Sequence, residues 1–227
     1  MRRVHEMRDN IFSHETPTIV GGKAVYARQN LREFLRHLSN IAVRIVVWTS
    51  MVRSNADLVA SYLFTGNSKP YRILAQDQCK MIVFPPGRLS RPGQTAIFMK
   101  VLSEQLFHES SPFTKENTLL IDDSREKSVC NESGNAIFLK PWTHKDEKDN
   151  VLVGRLLPWL ESLHNGCPAG QLRQYVNANR IGLGPPTRDD YLVQEMMALM
   201  RVAARERGAR YEIPWLNVVV EHRSCRR

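Results

Sequence analysis

Residues 117–124, Asn-Thr-Leu-Leu-Ile-Asp-Asp-Ser, run four strand-forming positions directly into two carboxylates and a hydroxyl. Such a run reads as a buried strand that releases Asp122 and Asp123 at its C-terminal end. In open α/β sheets that edge is where ligands bind. Two adjacent carboxylates repel by roughly 4 kcal/mol near a protein surface, which favours a hard cation such as Mg²⁺ beside them. A second reading is local: Asp and Ser accept hydrogen bonds from exposed N–H groups, so the same residues suit a turn that caps the next helix. The run alone leaves both readings open.

A second stretch adds to the first. Residues 41–48 form another apolar, strand-like run that ends in Thr49 and Ser50, and a helical pattern follows over residues 57–64. Lys100 lies on the segment between the two strand ends. A hydroxyl, an ammonium and carboxylates able to hold a metal are the inventory of a phosphate site.

These residues also carry a resemblance. Arg-Ile-Val-Val-Trp-Thr-Ser-Met, then Met-Lys-Val-Leu-Ser, then Asn-Thr-Leu-Leu-Ile-Asp-Asp-Ser-Arg-Glu-Lys-Ser-Val, resemble motifs two, three and four of the FCP-homology phosphatases. That family is the carboxy-terminal-domain phosphatase branch of the haloacid dehalogenase superfamily. Residues 26–35, Tyr-Ala-Arg-Gln-Asn-Leu-Arg-Glu-Phe-Leu, are similar to its Arg-Pro-Gly-Leu-x-Glu-Phe-Leu helix start, with Gln29 and Asn30 departing from it. Residues 75–79, Ala-Gln-Asp-Gln-Cys, resemble the Trp-Asp-Gln strand end of a plant subgroup. The likeness spans residues 26–164.

The resemblance implies an α/β fold, a haloacid-dehalogenase-like (Rossmannoid) three-layer sandwich around a parallel sheet. It also implies roles. Thr49 and Ser50 would hydrogen-bond a transferring phosphoryl group, and Lys100 would neutralise its charge. Asp123 would be a direct Mg²⁺ ligand, with Asp122 a further metal-site residue that orients Lys100 or a metal-bound water. One element of the family pattern is missing. Its phosphatases attack with an aspartate from an Asp-x-Asp-x-Thr motif, forming an aspartyl-phosphate, whereas the nine Asp residues here include no two separated by one residue.

In relatives that motif ends a strand central to the sheet, between the strand ending at Thr49 and the one ending at Asp122. Its loss would leave unpaired edges, each orphaned group costing about 1–3 kcal/mol. A truncated gene model, another segment in the slot, or folding with a partner would each account for it. The expectation is a phosphoserine/phosphothreonine phosphatase relative that is inactive as written, with Mg²⁺ binding weak or lost. A phosphoprotein or other protein is its expected partner, in the nucleus or cytoplasm. The alternative is a non-catalytic role as a protein-import subunit of the presequence translocase at the mitochondrial inner membrane, where the same homology domain occurs.

Composition narrows the partners. A net charge of +9 and a pI near 9.7 favour anions. The basic residues lack the aromatic interleaving of a single-strand binder, so no specific nucleic acid is expected. The four cysteines, Cys79, Cys130, Cys167 and Cys225, form no Cys-x-x-Cys pair, which disfavours zinc and fits reduced thiols. No apolar run is long enough to span a bilayer, and the N-terminal arginines are interspersed with acids that a transit peptide avoids.

The rest of the chain reads in sequence. Residues 1–22 are polar and irregular, with Pro17 and the Gly21-Gly22 pair marking a turn, and a domain follows over 23–164 that begins with a short strand-like stretch at 23–27. Within it Asn30 is expected to cap a helix, 71–75 form a third strand, and 81–93 form a loop broken by prolines. Lys100 falls on the first turn of a helix bearing Ile97, Val101, Leu102 and Leu106. The charge run 145–149 reads as a solvated face, and a closing helix through Leu152 and Leu163 kinks at Pro158. Residues 165–187, rich in Gly, Pro and Asn, read as a linker. Residues 188–227 form a helical extension whose Val193, Met196, Met197, Met200 and Ala203 share one face, with Asp189 or Asp190 as cap and a short strand at 214–220.

Overall fold

The computed structural model describes residues 17–41, 43–64, 69–84, 95–146, 148–187, 189–207, 211–213 and 218–220. The chain is α/β, with its strands paired in five two-stranded sheets among the described residues. Two of these pairs are parallel and three are antiparallel. They belong to two compact units, each discontinuous in sequence.

The first unit comprises Met1–Asp77 and Pro141–Gly166. It contains a hairpin, β1 (Thr18–Val20) and β2 (Lys23–Val25), where the sequence reads as irregular up to residue 22. Thr, Ile and Val are strand formers, and Gly21 and Gly22, at φ 56° and 75°, supply the two left-handed residues that a tight two-residue turn demands. Val20 and Ala27 are buried, with Val25, Leu31, Val59 and Leu63 packed against them. Residues 1–16 lie outside the described residues.

Helix α1 (Leu31–Asn40) buries Phe34, Leu35 and Leu38, the face its spacing predicts. Its start is built differently from the expected cap. Asn30 makes no capping bond through its side chain and sits in the left-handed region, at φ 59°. Its carbonyl accepts the Phe34 N–H at 2.9 Å, and its side-chain amide donates to Asn150 Oδ1 at 3.4 Å. This is the place where the family pattern carries Gly. Left-handed backbone costs an ordinary L-residue about 1–2 kcal/mol, and Asn is among the few that tolerate it.

β3 (Val46–Trp48) is the C-terminal part of the apolar run 41–48, and pairs in parallel with β4 (Arg72–Leu74) through the crossover helix α2 (Arg53–Leu63). In the same unit a π-helical turn, Leu152–Leu156, leads into the closing helix Leu157–Gly166. Pro158 has no N–H to give to the Gly154 carbonyl, and the ladder widens before it, with Leu157 N–H donating to Leu152 O. The charge run 145–149 is not all solvated: Asp149 is 9% exposed and accepts from Arg28 through Nε and, at 3.1 Å, through Nη2.

The second unit comprises Gln78–Lys140 and Cys167–Arg227. Two expectations fail here for one reason. Residues 80–83 are strand β5 (Lys80–Val83) where the sequence reads as loop from Met81, and β6 (Ala96–Met99) replaces the start of the helix expected to carry Lys100. In both, burial alternates with period two: Ile82, Ile97 and Met99 are inside, and Met81 and Val83 are exposed. The helical spacing of Ile97, Val101 and Leu102 is a coincidence of strand followed by turn. Only α3 (Leu102–Gln105) is helical, and Lys100 sits between it and β6. Residues 85–94, which include most of the expected loop, lie outside the described residues.

β7 (Leu120–Asp122) pairs in parallel with β8 (Ala136–Phe138), and a 3₁₀ turn, Arg125–Ser128, lies between them in the chain. With the closing helix of the first unit counted as α4, the stretch that reads as a linker contains α5 (Leu172–Ala178), because Leu172 and Val176 are buried one turn apart. α6 (Tyr191–Arg207) then packs Val193, Met196, Met197, Met200 and Ala204 with Ile82, Phe84, Ile97, Met99, Val101 and Val129 in one core cluster. β9 (Tyr211–Ile213) and β10 (Val218–Val220) form an antiparallel hairpin, and Pro214 and Cys225 lie outside the described residues.

Two outcomes test this packing. Met200, 1% exposed, lies in an apolar cluster with no partner for a charge, so Met200→Asp lowers unfolding free energy by about 3 kcal/mol or more, read from denaturant midpoints. An unchanged midpoint would mean that the helix face is free rather than docked. At Asn30, Gly is tolerated within about 1 kcal/mol while Val costs roughly 1–2 kcal/mol, because only Val carries the left-handed penalty in full. Equal midpoints for the two variants would contradict the backbone geometry.

Candidate functional site

The acidic strand end is fixed by an ion pair. Lys100 Nζ lies 2.6 Å from Asp122 Oδ2, with the two residues 8% and 7% exposed. Lys100 is aimed there by its backbone. Its N–H donates to Lys127 O at 2.7 Å, and Asn131 bridges the residue after it, donating to Lys100 O at 2.7 Å and accepting from Leu102 N–H at 2.8 Å. Asn131 is 3% exposed, and sequence reasoning misses it because a single Asn in a turn carries no spacing signal.

The other carboxylate oxygen does different work. Asp122 Oδ1 accepts the N–H groups of Asp123, at 2.8 Å, and Ser124, at 2.9 Å. The local reading holds for Oδ1, which accepts the N–H groups of its own turn, while Oδ2 is taken by the Lys100 ammonium. Asp122 O also accepts Leu139 N–H, tying the strand end to the residue after β8. The next residue, Asp123, is exposed, with Oδ1 accepting the Ser124 hydroxyl at 3.0 Å. Asp123 therefore presents accessible oxygens, whereas those of Asp122 are engaged by three donors.

Thr49 and Ser50 belong to the first unit, at the end of β3. Thr49 N–H donates to Leu74 O at 2.9 Å, and Thr49 Oγ1 accepts the Met51 N–H at 3.2 Å. Met51 O in turn accepts Gln76 N–H. The preceding Trp48 has a buried indole N–H with no hydrogen-bond partner among the described residues, which costs about 1–3 kcal/mol. Among the described residues, no three His, Cys, Asp or Glu side chains gather as a metal-ligand set. Asp123 alone suits one position around Mg²⁺, an ion that keeps several waters and often takes one or two carboxylates. The Cys130 thiol, pushed up to about 12 chiefly by burial, is not a nucleophile at neutral pH.

Burial acts to raise the Asp122 carboxyl, but the charge and hydrogen bond of Lys100, helped by Lys127, outweigh it and hold the group below its ordinary value. A carboxyl depressed by folding stabilises the fold above its unfolded pKa of about 3.9, and that contribution is lost as pH falls through the folded value. Asp122→Asn strands the Lys100 charge, so it costs about 3–5 kcal/mol at pH 7. The gap between the two proteins narrows below about pH 4 as the wild-type carboxyl is protonated. Urea midpoints from pH 7 to pH 2 measure this, and a constant gap would exclude Asp122 as the titrating group.

The helices among the described residues include none long and apolar enough to cross a membrane. No curated protein sequence matches the chain. A family model does: that of the NLI interacting factor-like phosphatases, over residues 3–170, a span that includes Thr49, Ser50, Lys100, Asp122 and Asp123. With most of its length matched, this chain belongs to the NLI interacting factor-like phosphatases, the haloacid-dehalogenase-like family with the FCP-homology domain.

Proposed function

We propose that these 227 residues recognise a phosphorylated protein segment and do not hydrolyse it. The observation that carries the reading is how Asp122 is used. Its two oxygens are taken by the Lys100 ammonium and two backbone N–H groups, so the carboxylate orients charge and is not poised to attack phosphorus. The sequence contains no Asp-x-Asp pair to supply a nucleophile and its acid–base partner. In this reading Lys100 supplies positive charge to the phosphoryl group. The three-layer sandwich of the haloacid dehalogenase superfamily belongs to the same proposal, supported by the β3–α2–β4 crossover and the two parallel pairs.

Asp123 would hold Mg²⁺ at one coordination position, with Asp122 acting behind it. When bound, that ion would neutralise phosphate charge. With one accessible carboxylate, affinity should be no better than roughly millimolar, far from a dedicated cage.

Turnover decides the proposal. The purified chain is expected to show no hydrolysis of aryl phosphates or phosphoserine peptides with Mg²⁺ present, while a phosphoserine peptide still binds and Lys100→Ala weakens that binding. Mg²⁺-dependent hydrolysis that Asp123→Asn abolishes would show that a nucleophile is present and overturn the reading.

A further inference from the structure

The turn that carries Asp123 is anchored from a part of the chain that the family match does not reach. Along its backbone the turn is held by Lys127, whose N–H donates to Ser124 O and whose carbonyl accepts the Lys100 N–H, and the Ser128 hydroxyl donates to Arg125 O. Its side-chain anchor is Arg125, whose Nη2 meets Asp190 Oδ1 at 2.8 Å, both side chains being partly buried. Asp190 is itself well fixed. Its Oδ2 accepts the Thr187 N–H at 2.7 Å, its N–H donates to Thr187 O, and its carbonyl accepts Gln194 N–H, where the ladder of α6 begins. α6 in turn packs with Val129, directly after the 3₁₀ turn, in the unit's core. The match to the family model stops at residue 170, so Asp190 and α6 are additions to the matched region.

We infer that Asp190 is a positioning residue for the acidic turn: through Arg125 it holds the backbone of Asp123 and Ser124 in the arrangement that lets Asp123 meet a cation. Two properties of the pair support this. The guanidinium lies on the residue two positions after Asp123, and without a carboxylate partner it would compete with a cation for that side chain. Asp190 neutralises it from outside the turn. The docked helix also pre-orders Asp190, so less side-chain entropy opposes the pair than in a typical exposed ion pair. The functional consequence rests on the metal and phosphate reading above; the anchoring itself does not.

The test uses the full chain, with Asp190→Asn, Arg125→Gln and the exchanged pair Arg125→Asp/Asp190→Arg. Amide hydrogen exchange at Asp123 and Ser124, followed by NMR, is expected to be about threefold faster in each single variant and restored in the exchanged pair, the size expected of one partly exposed ion pair. Titration with MgCl₂, read from the same two amides, is expected to show apparent affinity weakened by a similar factor in the single variants and recovered in the exchanged pair. Unchanged exchange at Asp123 and Ser124 in either single variant would overturn the anchor, as would acceleration that the exchanged pair does not reverse. If exchange responds as expected but the wild-type amides ignore MgCl₂, the metal reading falls and the anchor stands.

Discussion

The buried pair between Lys100 and Asp122 is the interaction on which the acidic strand end of the second unit depends. Removing two charges from water costs several kcal/mol each, and their attraction roughly offsets this only when the remaining donors and acceptors are satisfied. Here they are satisfied by short-range means. Asp122 takes two N–H groups of its own turn, and Asn131 fixes the chain on both sides of Val101, so that Lys100 approaches from one direction. The pair is better understood as a device for geometry than as a source of stability. It joins the end of β6 to the end of β7, two strands that share no hydrogen-bonded sheet among the described residues.

The candidate residues of each unit are legible in the sequence because they end apolar runs. Residues 46–48 and 120–122 are strands, and Thr49, Asp122 and Asp123 finish or follow them as their patterns predict. Lys100 is legible as to its part of the chain but not its element, since apolar residues at 97, 101, 102 and 106 fit one helix as well as they fit strand, turn and helix in succession. Of the hairpin at 18–25, the turn at the Gly pair and the strand that follows it are legible, whereas Thr18–Val20 escapes because a three-residue strand gives too few positions for alternation to register. The anchors are hidden for another reason. Asn131 meets Lys100 across 31 positions, Asp190 meets Arg125 across 65, and Asp149 meets Arg28 across 121. No local pattern marks partners so far apart, and only the folded chain brings them together.

The second unit shows why a boundary drawn from composition is a poor guide to a core. Residues 165–187 are rich in Gly, Pro and Asn, yet Leu172, Val176 and Ile181 are buried. α6 supplies Val193, Met196, Met197, Met200 and Ala204 to the same cluster as β5 and β6. Methionine suits that position because an unbranched, flexible side chain can fill the irregular space above a two-stranded ribbon. The segment beyond the family match is therefore part of the folded body of its unit, not an appendage to it.

Gly182 closes one side of the β7–β8 pair. At φ 76°, with the Phe138 carbonyl standing where a Cβ would have to go, it lets the chain draw up against β8, and Leu183 N–H donates to Phe138 O at 2.7 Å. A strand whose outer carbonyl is already claimed is a poor template for another strand. On the β8 side the place of a further strand is thus taken at Phe138 by the chain's own Leu183, and a single residue without a side chain is what lets it in.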